Sequence, residues 1–287
     1  MFVFLSAVTK DYHNHAFLEM LKNIPDMTWT PEIPERFRGM SDAAVRAHLM
    51  PETVQQVATA EKVMIVGEAP AAFSWLEVRP NCMVVRNQGQ CGSCWAFSSV
   101  GPLADNRCIS KKDSGRVVYS EQYPVSCDGG NHGCDGGYLT KAMAFLKNTG
   151  TPTDRCVSYK SGNGATGKCP SKCDDGSNIA TVRSANYQNV CAGEIGIKNA
   201  LTHGTLQTAF TVYQDFMYYK SGIYQHKSGA SQGGHAVVFV GYGEESGVKY
   251  WVVRNSWGTS WGERGYFRIL RGNNECGIEH ECYLIYP

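Results

Sequence analysis

Gln88-Gly89-Gln90-Cys91-Gly92-Ser93-Cys94-Trp95-Ala96-Phe97-Ser98 reads as a glycine-bearing loop running straight into a helix. Ser93 stands where an N-cap hydroxyl accepts a backbone N–H, which puts Cys94 in the first helical turn. The unpaired N–H groups and the positive dipole end of that turn favour thiolate over thiol, and the thiolate is the nucleophilic form. Cys94 is therefore the candidate nucleophile. Cys91, three residues earlier, also allows a plainer reading of the pair as disulfide, redox or zinc cysteines, so the rest of the chain must decide.

The 287 residues suffice for a large core, in one big domain or two smaller ones. Charge is balanced, with 27 Lys+Arg against 26 Asp+Glu, which speaks against nucleic acid or an anionic membrane as partner. The charge is unevenly spread: residues 1–68 hold six basic and nine acidic residues, a net of −3, and the remainder carries +4. All twelve cysteines lie at or after Cys82. A cysteine-free acidic leader before a cysteine-rich, mildly basic body suggests two units with different fates. Twelve cysteines argue for an oxidising compartment, and one reactive thiol among them leaves at least one more unpaired. No Asn-x-Ser/Thr acceptor occurs. Residues 1–8 are apolar without a basic flank and read as the remnant of a signal peptide or the start of a shortened chain. No apolar run approaches the ~20 residues that span a bilayer, so a soluble protein is expected.

Within the leader, His13–Lys22 carries Ala16, Phe17, Met20 and Leu21 at helical spacing, and Trp29–Pro34 reads as an extended, proline-broken link. Ser41 caps a second short helix that Pro51 stops. Such pieces have little core of their own and should fold only against a partner surface. In the body, 94–109 reads as a long helix interrupted at Gly101-Pro102, with a kink or a fresh start there. Further helices are expected over 139–147 and 193–202. Strands 236–242 and 250–254 flank the loop 243–247 as a hairpin, and 265–270 makes a third strand. Helices first and antiparallel strands later imply an α+β protein with a cleft between its halves.

A thiolate nucleophile needs a proton acceptor that later protonates the leaving group, a task suited to histidine. Of eight histidines, His235 opens an apolar strand after two glycines. A histidine in such a place is also commonly structural. Asn255 follows the next strand, and antiparallel pairing would return it beside His235, where its amide could fix the ring's tautomer with Trp257 as a cover. The plain alternative is that the Asn-Ser and Trp-Gly pairs of 255–258 only make turns. The backbone N–H of Cys94 and the side-chain amide of Gln88 would serve as oxyanion donors; a loop glutamine is otherwise simply solvated.

Cys-Gly-Ser-Cys-Trp over 91–95 is a local signature of papain and cathepsin thiol proteases. With Gln88, His235 and Asn255 in their own motifs, residues 69–287 resemble the papain family of cysteine proteases, and within it the cathepsin B type. His235 lies 141 residues after Cys94, inside the roughly 130–150 window of that family, and Asn255 at 161 lies slightly beyond it. The resemblance implies a two-lobed α+β fold, with a helical left lobe, an antiparallel β-barrel-like right lobe and the cleft between them, after a mostly helical propeptide over 1–68. It implies a cysteine endopeptidase made as an inactive zymogen, acting through a Cys94 thiolate, a His235 imidazolium and an acyl-enzyme, without metal or other cofactor. The propeptide would block the cleft, running in reverse of the substrate direction, until cut near Gly67–Ala69. Its acidic charge on a basic body suggests release as carboxylates protonate. Gly136 and Gly137 would bind the substrate backbone, and Glu281 would floor an S2 pocket that takes arginine or apolar side chains, its plain alternative being a solvated tail residue. Disulfides 82–108, 91–134, 127–169 and 156–173 are implied, with Cys276 free; Cys191 and Cys282 match no counterpart and are candidates to pair with each other. Partners would be protein and peptide substrates, the chain's own propeptide and cystatin-like inhibitors, for a monomer in a lysosome-like or secretory vesicle, or secreted. One departure stands out: Tyr159–Lys168, where the cathepsin B type carries a long histidine-bearing occluding loop, is short, glycine-rich and lacks histidine, which favours an endopeptidase open at both ends.

Three rival readings remain at the sequence level. They are a catalytically inactive binding or scaffold homologue, a fully bridged secreted recognition module, and a thiol–disulfide oxidoreductase using Cys91 with Cys94.

Overall fold

A computed structural model of the chain describes residues 11–51 and 61–287; the apolar start at 1–8 lies outside them. The longest helix, α4 (Cys94–Ile109), is buried from Cys94 through Asn106, so it runs through the interior rather than along a surface. It is continuous through Pro102, against the expected interruption. Proline costs a helix interior about 3 kcal/mol, but burial of Val100, Leu103 and Ala104 on this helix, enclosed on all sides from Cys94 to Asn106, exceeds that. Gly101 has a specific reason: a Cβ there would lie 2.8 Å from Arg254 Nη2. The missing side chain lets that guanidinium reach Asp105 of the same helix, at 3.1 and 2.6 Å. Arg116 Nε and Thr205 Oγ1 complete the shell of this fully buried carboxylate.

Two apolar clusters divide the interior. One joins α4 to α6 (Leu139–Asn148) through Trp95, Val100, Leu103, Met143 and Leu146. The other fills the concave side of a nine-stranded sheet with Phe210, Phe216, Trp251, Trp257, Trp261 and Phe267. Its main path runs β1 (Trp29–Pro31), β5 (Tyr219–Tyr224), β8 (Tyr266–Leu270), β7 (Val248–Arg254), β6 (Ser231–Glu245), β4 (Leu206–Tyr213), β9 (Cys282–Tyr286) and β3 (Asn186–Asn189), with β2 (Phe73–Ser74) added on β6. The pairs are antiparallel except β5 with β8, and the path is open rather than closed into a barrel. The mixed helix and sheet content agrees with the sequence-based expectation. The hairpin is longer than expected: β6 and β7 continue to Glu245 and Val248, leaving Ser246 and Gly247, both at positive φ, as a two-residue turn. Two other expected helices are α6 and α7 (Gly193–Leu201).

The leader is folded on the body. Helix α1 (His15–Lys22), capped by Asn14, buries Leu18 and Leu21 in the sheet-side cluster. The link at Trp29–Pro31 is not merely extended; it adds β1 to the sheet, with Trp29 opposite Gly222. Helix α2 (Asp42–Arg46) starts where Ser41 Oγ accepts from Ala44 N, and it is shorter than expected.

Candidate active site

Cys94 is the first residue of α4 and is fully buried. Ser93 does not cap the helix as expected. Its φ and ψ of −92° and 14° lie outside the extended cap geometry, and its hydroxyl is paired with Tyr159 Oη at 2.8 Å. Tyr159 in turn donates to the Gln88 carbonyl, 2.7 Å away, so residues 88, 93 and 159 form one rigid unit behind the sulfur. The N–H of Ala236, on β6, points at the Cys94 sulfur. This brings the nucleophile candidate against the residue that follows His235.

His235 and Asn255 meet as the hairpin predicts. The β6–β7 register pairs Val238 with Arg254, and His235 Nε2 lies 2.7 Å from Asn255 Oδ1. That oxygen also accepts from Ser256 N, so it serves as the acceptor, and the imidazole carries its proton on Nε2. His235 Nδ1 is buried and has no hydrogen-bond partner among the described residues, leaving a lone pair available. Trp257 lies over the ring, with centroids 4.7 Å apart and planes 28° from parallel, and is itself buried. The Arg254–Asp105 pair fixes the end of β7, and with it Asn255, to the helix that carries Cys94.

Gln88 is fully buried rather than solvated. Its Nε2 donates to the Cys91 carbonyl at 2.8 Å and to the leader's His48 carbonyl at 3.0 Å, while Oε1 accepts from Ser256 at 2.6 Å. A donor suited to a developing oxyanion is thus occupied by a leader carbonyl. Met50 follows, exchanging two 2.8 Å backbone bonds with Gly234. Met50 lines a cavity of about 190 Å³ together with Leu139, Ala209, Phe210 and Glu281. Glu281 is therefore part of a pocket, where it accepts from Tyr283 Oη at 2.8 Å, and burial raises its pKa. The two candidate backbone-binding glycines separate. Gly136 lies under the leader, where a Cβ would meet Pro51 Cδ at 3.2 Å, whereas Gly137 packs on the Trp95 indole, 2.7 Å from where its Cβ would be.

The covered site is electrically silent. Burial pushes the Cys94 thiol up to about 12, and burial pulls His235 down to about 3, against the opposing hydrogen bond to Asn255 and with His48 and the Arg36 guanidinium nearby adding to the lowering. While the leader is in place, desolvation works against the helix dipole and favours the neutral thiol; the thiolate expected from the sequence belongs to the leader-free enzyme. Arg36 reaches the Trp257 carbonyl and lies 5.9 Å from the centroid of that indole, so the leader brings a cation to the roof of the site. Sequence reasoning missed Arg36 and His48, since neither belongs to a motif; only their contacts identify them.

Five disulfides join Cys82–Cys108, Cys91–Cys134, Cys127–Cys169, Cys156–Cys173 and Cys191–Cys282. Cys94 and Cys276 remain free. The Cys91–Cys134 bridge removes the oxidoreductase reading, and two free thiols remove the fully bridged module. Five disulfides fit an oxidising compartment, and no helix among the described residues is long and apolar enough to cross a membrane.

Comparison with known proteins agrees with this geometry. The family model for papain family cysteine protease matches residues 69–286. Cathepsin B-like CP3 of Giardia intestinalis is 48% identical over 265 residues, covering 88% of this chain and 87% of the relative. Cathepsin B-like CP2 of the same organism is 46% identical over 264 residues, covering 89% and 88%. Among solved structures, a procathepsin B of Trypanosoma congolense aligns with a TM-score of 0.89 at 29% identity, over 97% of this chain and 99% of that one. That neighbour is a proform, and its alignment extends over the leader as well as the body. A motif-bearing cysteine at a helix start, a histidine–asparagine pair on the facing sheet and a leader laid across both therefore make this chain a member of the papain family of cysteine proteases, cathepsin B-like and in its zymogen form.

Proposed function

We propose that Cys94 is the nucleophile, His235 the acid–base group, Asn255 its positioning partner and Gln88 an oxyanion donor of an endopeptidase. One observation carries this reading: His235 holds Nε2 on Asn255 and leaves Nδ1 bare, on the strand whose next N–H meets the Cys94 sulfur. Departure of the leader rehydrates the pair. The thiol proton then passes to Nδ1, and the helix start favours the resulting thiolate. A substrate carbonyl takes the place of the His48 carbonyl at Gln88 Nε2. Thiolate attack forms a tetrahedral oxyanion there; collapse breaks the C–N bond, with Nδ1–H protonating the amine. Water activated by the same ring then hydrolyses the thioester.

Endopeptidase action follows from the loop at 159–168. Tyr159 is tied to Gln88 and Ser93, Gln90 N donates to the Gly162 carbonyl at 2.8 Å, and the Gln122 side chain accepts from Lys160 N and Ser161 N. The loop lies against the body instead of capping the cleft. Apart from the leader, the described residues that wall that side include Asn87, Gln90, Asn163 and Trp257, uncharged side chains that offer no cation to a C-terminal carboxylate. Glu281 supports acceptance of arginine, as well as apolar side chains, two residues before the scissile bond. Residues 1–68 act as the propeptide and 69–287 as the peptidase domain, in a lysosome-like or secretory vesicle or after secretion.

A peptidyl epoxide tests the assignment. It should add one mass equivalent to Cys94 of the leader-free enzyme, leave Cys276 unmodified, and fail on Cys94→Ala. Internally quenched peptides with amidated C-termini should be cut mid-chain. Labelling of Cys276 alone would overturn the nucleophile, and strict removal of C-terminal dipeptides would overturn the endopeptidase reading.

A further inference from the structure

The loop that leaves the cleft uncapped meets the surroundings of the sulfur at two points through one hydroxyl. Tyr159 Oη has a single proton, which it donates to the Gln88 carbonyl at 2.7 Å, so at 2.8 Å it accepts from Ser93 Oγ. These are the two ends of the arch 88–93. Gln88 and Ser93 are both fully buried, and the Tyr159 ring stands edge-on to Phe97 of α4, with centroids 4.9 Å apart. The same loop closes on the middle of the arch. Gln90 N donates to the Gly162 carbonyl, and a Cβ on Gly89 would lie 2.4 Å from that oxygen. Burial pushes the Tyr159 phenol up, so its proton stays on the Gln88 carbonyl through the neutral and acid range.

The two groups assigned to the oxyanion stand at opposite ends of this arch. The Gln88 side-chain amide is at its start, and the Cys94 backbone N–H follows directly on Ser93. Such donors stabilise an oxyanion only when both reach it at once, and the chord between them is the one that Tyr159 spans. Ser93 forgoes its helix cap for this bond, and the N–H groups of Cys94 and Trp95 remain directed at the Cys94 sulfur.

We propose that Tyr159 is a positioning residue for peptide hydrolysis, its hydroxyl setting the spacing of the two oxyanion donors. The proposal rests on Cys94 being the nucleophile and Gln88 an oxyanion donor. The hydroxyl is fully used on the arch, so it acts through Gln88 and Ser93 rather than on the substrate. Spacing matters once the carbonyl oxygen has become an anion. Loss of the hydroxyl should therefore slow the chemical step and leave substrate binding alone, with kcat and kcat/KM falling together. Removing a whole donor costs about a hundredfold to a thousandfold, and loosening the pair should cost about tenfold. Alkylation by iodoacetamide forms no oxyanion and depends on the thiolate and imidazole alone.

Tyr159→Phe keeps the ring on Phe97 and removes both hydrogen bonds. Leader-free enzyme is prepared from the full-length variant, and its active sites are counted by epoxide labelling. Its kcat on an internally quenched peptide should fall about tenfold at constant KM. Affinity for a peptide aldehyde, whose adduct with the Cys94 sulfur places an oxygen in the same hole, should fall by the same factor. Alkylation of Cys94 by iodoacetamide should keep the wild-type rate. Ser93→Ala, which breaks one of the two bonds, should lie between and should add nothing to Tyr159→Phe. The same split between hydrolysis and alkylation is expected of Ser93→Ala, which carries the test alone if Tyr159→Phe does not fold. An unchanged kcat, or hydrolysis and alkylation slowing by the same factor, would overturn the proposal. Gln88→Ala, run alongside, separates it from the reading beneath. A loss of about a hundredfold there keeps the oxyanion assignment whatever Tyr159→Phe does, and an unchanged kcat there would remove both.

Discussion

His48→Gln should decouple zymogen opening from acid. His48 is buried between leader and body, T-shaped against Phe37 and Trp257, with Nδ1 on the Ala44 carbonyl at 3.0 Å and Nε2 without a partner among the described residues. The ionisable groups facing it are Arg36 of the leader and His235 of the body. Burial first, and Arg36 second, lower its pKa to about 4 from the ordinary 6.5. A lowered value means that the docked leader binds the proton less well than the released leader. Docking is therefore unaffected above about pH 6.5 and weakens progressively as pH falls towards about 4. Between pH 7.5 and 5 the loss is about 2 kcal/mol, or about thirtyfold in the opening equilibrium. His13, also buried and lowered, adds in the same direction. The opposing idea, that leader carboxylates carry the pH response, has little structural support. Among the described residues one salt bridge, Glu32–Lys220, joins leader to body, and both side chains are about half exposed. Such a pair contributes ~0–1 kcal/mol. The assay is the rate at which a peptidyl epoxide labels Cys94 in intact zymogen at the two pH values. Comparison with wild type cancels the titration of His235 itself. Glutamine keeps a donor for Ala44 but cannot charge, so the acid acceleration should shrink by about an order of magnitude or more. A wild-type pH 5 to pH 7.5 ratio in His48→Gln would refute the reasoning.

Glu281→Ala should abolish cleavage after arginine at the second position before the scissile bond and spare apolar residues there, as read by a positional peptide library. In the wild type, the arginine preference should fade as pH falls through the raised pKa of this carboxyl, since only the ionised form pairs with guanidinium. Asp105→Ala strands Arg254 and Arg116 in the interior and should cost about 3–5 kcal/mol by denaturant unfolding. Because Arg254 precedes Asn255, its residual activity should fall further than its stability alone predicts.

What could be read from the chain was what local chemistry dictates. The Cys94 helix start, the hairpin returning Asn255 to His235 and the amphipathic α6 and α7 follow from neighbouring residues. So did the segregation of cysteines that separates leader from body. The misreadings are all places where a distant partner overrode a local preference. Ser93 surrendered its cap to Tyr159, 66 residues away. Gly101-Pro102 looked like a helix break because the guanidinium it accommodates lies on β7. Trp29–Pro31 became a strand because it adds to the sheet beside β5, and the edge position it takes there tolerates proline. The neutral thiol of the covered site lay beyond a local reading for the same reason. The helix dipole is written in the sequence, but the burial that overrides it belongs to the leader's docked conformation.

The most direct measurement is the rate of Cys94 alkylation by iodoacetamide against pH, before and after removal of the leader. Leader-free enzyme should react with an apparent thiol pKa well below the ordinary ~8.5, and the intact zymogen should stay nearly inert at neutral pH. A leader-free thiol that titrates near its ordinary value, or a zymogen that alkylates as fast as the leader-free enzyme, would contradict the account.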